Sequence, residues 1–401
     1  MPAKTTDPPA LLTLIALSGL SVVSLNMFLP SLTNIARDFQ ADYALVNLCI
    51  AGYAAVSAVL QLVMGPLSDR FGRRPVILGA LLLFLIASLG CLLASNIWVF
   101  LAFRMMQAVI ASVYTVSVAV IRDFSAGNKA ASHIGYVAMA SAIAPMLAPL
   151  VGGTLDELFG WRASFWAFLG IGGATLALCW LDLRETNKTP ADTLGRQFRS
   201  YGRLVESRRF WGYALCMVFS RGAFFVFIGG ASLVAASTFR ISTAQLGFYM
   251  GTITAGFVLG SFLCGRFAER YALTTMMLMG GLIACVGLIL GILLCLYGSV
   301  SLPLYFGACG CVGLGNGLAI PSSNAGLVSV RPELAGSASG LSGALTVGGG
   351  AVLSAIAGAV LTDANAAPTL LAMMLLPSGM GLLATLYVMR TDSQEKRPEQ
   401  A

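Results

Sequence analysis

The apolar residues of this 401-residue chain gather into twelve runs, each close to the roughly 20 residues that an α-helix needs to cross the hydrocarbon core of a bilayer. The runs centre near Gly19, Val56, Phe84, Ile110, Ile143, Gly170, Phe224, Ala255, Cys285, Gly313, Gly348 and Gly379, with short polar breaks between them. A backbone inside lipid must satisfy its own hydrogen bonds, so runs of this length predict helices. Composition agrees, with 57% hydrophobic and 10% charged residues and a mean hydropathy of +0.84, where a soluble domain carries about 25% charge. A water-soluble enzyme is excluded, and the expectation is an all-α polytopic membrane protein. The net charge of +7 does not indicate a nucleic-acid partner, because the Lys and Arg residues are scattered through the polar breaks. Nine cysteines lie in or beside apolar runs without CxxC spacing or a flanking histidine. They read as small core residues, and no cofactor or metal site is expected. The first run is long enough to span and is expected to remain as a helix.

One long polar stretch interrupts the series. It divides the chain into a six-helix bundle over 1–181, a connector over 182–209 and a second six-helix bundle over 210–401 that ends in a short tail. Lys and Arg in short loops are retained on the cytoplasmic side of a membrane. With both termini placed there, 19 of the 24 basic residues fall on that side, seven of them in the connector. Sliding the chain by 200 residues aligns Gly65 with Gly265, Asp69 with Glu269, Arg70 with Arg270 and Phe71 with Tyr271, each just after the second run of its half. Duplicated units of this kind predict two pseudo-symmetric bundles that rock about a site near the membrane midplane.

The most specific string is Gly65-Pro66-Leu67-Ser68-Asp69-Arg70-Phe71-Gly72-Arg73-Arg74-Pro75, placed in the connection between the second and third runs. Gly65 and Gly72 permit close approach or a positive φ, and Asp69 among Arg70, Arg73 and Arg74 makes a switchable ion-pair cluster. This string resembles the signature of the major facilitator superfamily between helices two and three, and the resemblance implies a cytoplasmic gate latch. In the fourth run, Arg104, Gln107, Ala111, Tyr114 and Val118 share one helical face. An arginine within a span faces a polar cavity or snorkels to an interface. Arg104-x-x-Gln107 resembles the fourth-helix motif of drug and proton antiporters, which links the arginine to proton coupling. In the fifth run, Pro145 and Pro149 remove backbone donors, while Gly152 and Gly153 allow close packing. This ending resembles the antiporter motif of exporters, above all the Bcr/CflA-type drug-efflux branch. Asn26-Met27-Phe28-Leu29-Pro30 resembles a first-helix segment of that branch, with Asn26 standing where an aspartate is usual. An asparagine contacts substrate but carries no proton.

None of the seventeen acids falls centrally in a span. Asp123, at the end of the fourth run, is the nearest candidate to a central cavity. His133, the sole histidine, starts the fifth run and titrates in the physiological range when unperturbed. Arg221 in the seventh run either joins a cavity or snorkels to the surface, and Phe224 and Phe225 beside it offer aromatic walls. The resemblance implies a monomeric inner-membrane exporter of small drug-like molecules coupled to protons, with Asn26, Arg104, Gln107, Tyr114, Arg221, Phe224 and Phe225 at the substrate. The runner-up is an exporter or uniporter of an endogenous anionic metabolite that does not use a first-helix acid. No paired intramembrane carboxylates and no nucleophile, metal or phosphate-loop constellation point to an enzyme.

Overall fold

The computed structural model describes residues 10–124, 127–186, 202, 204–267, 270–298, 301–331 and 334–395. Side chains at 65–66, 122, 127–136, 138–142, 335–337 and 392–395 lie outside the description. Among the described residues all regular structure is helical, as the apolar runs require. Eleven stretches are long and apolar enough to cross a membrane, and the 33-residue helix Gly127–Phe159 takes the place of the fifth run. The fold is that of an all-α polytopic membrane protein.

The first half comprises α1 (Leu11–Asn26), α2 (Leu32–Asp38), α3 (Tyr43–Phe71), α4 (Arg73–Leu93), α5 (Ile97–Met106), α6 (Val109–Phe124), α7 (Gly127–Phe159) and α8 (Arg162–Asp182). The second comprises α9 (Arg208–Val234), α10 (Thr243–Phe267), α11 (Leu273–Leu296), α12 (Leu302–Val330), α13 (Ala335–Val360) and α14 (Ala366–Glu395). Two runs predicted as single helices are broken. The first ends at Asn26, passes through a tight turn at Leu29–Ser31 that contains Pro30, and resumes as α2. The fourth is interrupted at Gln107 and Ala108, where backbone bonds shorten from four-residue to three-residue spacing. Local signals set other ends. Asn96 accepts the Val99 N–H at 3.0 Å to cap α5, and Arg240 adopts a left-handed φ of 51° where the seventh run stops.

The connection between α3 and α4 is shorter than the sequence suggests. α3 continues through Gly65 and Pro66 as far as Phe71, and α4 starts at Arg73, which leaves Gly72 alone as the joint, with φ 97°.

The two halves meet along α3 with α13 and α7 with α10. The hydrogen bonds described between them lie at the Pro30 end, opposite the Asp69 joint. Tyr43 donates to the Gly229 carbonyl at 2.9 Å, Asn47 to Ser354 at 2.6 Å, Ser232 to Pro30 at 3.2 Å and Thr243 to Gly153 at 3.1 Å. Gly153 makes this seam possible, because a β-carbon there would collide with the Thr243 carbonyl, while Gly152 lets α7 approach the Met27 carbonyl within the first half.

Candidate functional site

On the Asp69 side of the seam lies a cavity of about 450 Å³ lined by both halves. From the first half come Ser21, Val22, Leu25 and Asn26 of α1, Gln61 of α3, Ala111, Tyr114 and Thr115 of α6, and Pro145 of α7. From the second come Arg221, Phe224 and Phe225 of α9, Ile253, Thr254 and Phe257 of α10, and Gly313, Asn316 and Ile320 of α12. On each helix these residues sit closer to the Asp69 end than the seam residues do. The wall is apolar with a few neutral polar groups and one cation, which is the makeup of a small-molecule site. Among the described residues it contains no Asp or Glu.

Five of the seven residues expected at the substrate therefore come together here, Asn26, Tyr114, Arg221, Phe224 and Phe225, together with Pro145 of the fifth run. Asn26 donates to the Val22 carbonyl at 2.8 Å, and Phe224 meets Phe225 edge-on at 6.2 Å between centroids. Arg221 lines the cavity and is exposed within it rather than snorkelling to an end. Sequence reading missed Gln61, Thr254 and Asn316. Asn316, whose amide donates to the Ser220 carbonyl at 2.8 Å, was detectable as an amide at the middle of a largely apolar run.

Arg104 and Gln107 are not on the cavity wall. Both are fully buried inside the first half. The turn at Gln107 and Ala108 separates them from the face that carries Ala111 and Tyr114, so the single stripe expected from an unbroken helix does not form. The Arg104 guanidinium lies over the rings of Phe28 at 4.1 Å and Tyr53 at 4.3 Å. It donates to the Gln107 side chain at 2.7 Å and to the Ser24 carbonyl at 2.8 Å. Gln107 donates onward to Ser88 at 2.7 Å, and Ser24 shares a 2.7 Å bond with the Tyr53 hydroxyl. Ser24 is in the last turn of α1, where carbonyls lack helical partners and the helix dipole is negative. The cation thus caps the break in the first run, and aromatic faces take the place of a carboxylate.

At the Asp69 end, Arg73 is paired with Asp69, hydrogen-bonded to Ser68 and bonded to Asp123 at 3.2 Å. Asp123 also accepts from Thr186 at 2.9 Å. Arg74 donates to the Trp180 carbonyl at 3.0 Å and lies over its ring, while Arg70 lies over Phe71. Glu185, which the sequence did not flag, accepts the backbone N–H of Arg73 at 2.9 Å and of Arg74 at 3.1 Å. His133 belongs to α7, and its side chain is outside the described residues.

At the Pro30 end, Asp156 stands near the end of α7. The structure buries it at 5% exposure, with one carboxylate oxygen accepting from Asn34 at 2.6 Å and the other without a hydrogen bond. No cationic nitrogen lies within 4 Å of it among the described residues. Its neighbour Glu157 accepts the Ala244 N–H of the second half at 3.3 Å.

The chain matches the family model described as Major Facilitator Superfamily over residues 14–355 and 213–401. It is 30% identical to an uncharacterized MFS-type transporter, YdgK, of Bacillus subtilis (strain 168), over 88% of each chain. A chloramphenicol resistance protein of Pseudomonas aeruginosa is 34% identical over 65% of this chain and 62% of its own length. A bicyclomycin resistance protein homolog of Haemophilus influenzae is 27% identical over 90% of this chain and 92% of its own. Among solved structures, a bacterial homolog to the human lysosomal transporter Spinster, in an inward-facing and occupied conformation, superposes with a TM-score of 0.76 at 17% identity. That match covers 96% of each chain. Motifs, architecture and relatives agree: the chain belongs to the Major Facilitator Superfamily, and its kinship is with the drug-efflux transporters of the Bcr/CflA type.

Proposed function

We propose that this protein exports small drug-like molecules across a bacterial inner membrane by alternating access, coupled to protons. The observation that carries this reading is the central cavity, built by both halves and closed at the Pro30 end by hydrogen bonds from side chains of one half to main-chain carbonyls of the other. Rearranging those contacts while the Asp69 end closes would pass the cavity from one face to the other. The distribution of Lys and Arg supports placing both termini and the Asp69 end in the cytoplasm. The structure then corresponds to the state that loads from the cell interior. Halves 1–181 and 210–401 act as the two moving bodies around the connector 182–209.

For coupling, Asn26 offers no proton. Acids occupy contacts at both ends that alternating access would change: Asp69 and Asp123 in the Arg73 latch, Asp156 and Glu157 at the seam. Asp156 is buried on closing without a cation to balance it, so its proton occupancy and the seam are linked. Arg104, inside the first half, acts on coupling through the α1 break and not by touching substrate.

The test is transport in proteoliposomes under an imposed pH gradient with a trapped pH dye. Chloramphenicol and bicyclomycin, for which two relatives are named, are the first compounds. Substrate-triggered proton movement is the expected result. Substrate movement without proton flux would make the protein a uniporter or exchanger, and no movement of either compound would remove drug export.

A further inference from the structure

Arg221 stands midway along α9, about as far from either end of the span as the helix permits. Its side chain is exposed in the cavity, and among the described residues it makes no hydrogen bond and no ion pair. The other cations of the interior are engaged: Arg104 with Ser24 and Gln107, Arg73 with Asp69 and Asp123. No carboxylate on the cavity wall neutralises Arg221, and the remaining polar lining is uncharged.

A cation held at mid-membrane is costly, and that cost selects for function when no protein partner relieves it. The guanidinium offers a planar fork of donors that matches a carboxylate. Around it, Tyr114, Phe224, Phe225 and Phe257 supply an aromatic wall, and the volume of about 450 Å³ fits one compact organic molecule. We propose that the cavity selects amphipathic anions, molecules with a compact aromatic or aliphatic body bearing a carboxylate that Arg221 holds. The inference rests on the reading of this cavity as a transport site and names its substrate class. It also predicts that cationic amphiphiles of the same size are excluded, because Arg221, the one charge on the wall among the described residues, repels them.

The test uses one aromatic body with three head groups: 1-naphthylacetate, 1-naphthylacetamide and 1-naphthylmethyl-trimethylammonium. Binding to the purified full chain in detergent is read from ligand-induced thermal stabilisation, and movement is followed in proteoliposomes. The expected result is that the carboxylate binds about tenfold or more tightly than the amide, with the ammonium weakest. Arg221→Gln should bring carboxylate and amide to within about twofold of each other, while Arg221→Lys keeps part of the preference. Should Arg221→Gln fail to fold, the wild-type series and Arg221→Lys still decide. A carboxylate that binds no better than the amide, an ammonium that binds as well, or a preference that survives Arg221→Gln would each overturn the proposal. Failure of the export reading looks different: binding that favours the carboxylate with none of the three probes crossing the membrane. Transport of the amide or the ammonium without the carboxylate would instead keep export and sink the anion preference.

Discussion

The carboxylate of Glu185 fills the space beside Gly72 that a β-carbon there would occupy. Its two oxygens receive the N–H groups of Arg73 and Arg74, donors that the first turn of α4 cannot satisfy within the helix, and its charge complements the positive end of the dipole. Gly72 has φ 97° and ψ 153°, a region open essentially to glycine alone. Gly72→Ala should therefore lose on two counts, backbone strain of about 1–3 kcal/mol and displacement of Glu185. Glu185→Gln keeps an acceptor and should cost only about 0.5–1 kcal/mol. Thermal unfolding in detergent checks the order; equal losses would show that the contact between the two residues does not matter.

Removing the Arg104 guanidinium strands the Ser24 carbonyl and the Gln107 side chain in a fully buried place and opens a gap between Phe28 and Tyr53. Arg104→Ala is expected to destabilise the first half by about 3 kcal/mol or more. Arg104→Lys should rescue little, since an ammonium cannot bridge both acceptors and cover both rings. Ligand affinity per folded molecule should change less than stability does. A variant of normal stability with its affinity abolished would place Arg104 at the substrate after all.

Tyr43 donates across the seam to Gly229. Tyr43→Phe removes that bond with almost no change of shape, so it should weaken closure at the Pro30 end by about 1 kcal/mol, roughly a fivefold shift in population. Distance distributions between spin labels on α2 and α10 would register the shift.

Asp156 presents the opposite case. An ionised carboxylate buried with one oxygen unpartnered opposes closing of the seam. Asp156→Asn retains the shape and removes the charge, so the closed population at the Pro30 end should rise severalfold, and protons moved per substrate should fall. Unaltered proton movement would leave Asp69, Asp123 and Glu157 as the described acids to examine.

The twelve runs were legible because lipid forces each crossing to be continuous and apolar, and Pro30 marked the break in the first of them. The break at Gln107 and Ala108 carried no such mark. Neither residue is a helix breaker, and the turn is held by Gln107 reaching Ser88 on another helix. That one unsignalled turn is why Arg104 and Tyr114 were expected on a common face. Glu185 was invisible for a related reason, since its partners are more than a hundred residues away in sequence. Asp156 sits only three residues from the end of α7, a place where an acid is usually solvated, and it is the packing around Asn34 and α10 that covers it. Asn26, Tyr114, Arg221, Phe224 and Phe225 could be read because each is polar or aromatic within an apolar run.

The seam between the halves is built largely on acceptors that mutation cannot delete. Tyr43, Asn47, Ser232 and Thr243 each donate to a main-chain carbonyl of the opposite half. Substitutions at Ser354 or Pro30 leave an oxygen in the chain whatever the side chain becomes, whereas Gly153 and Gly229 have no room for a β-carbon against Thr243 or against Ser354 and Asn47. At Ser354 and Pro30 closure is thereby insulated from drift in the acceptor residue, whereas the cavity wall is made almost wholly of side chains. A lineage of such transporters can exchange its wall residues, and with them its substrates, without having to reinvent its gate.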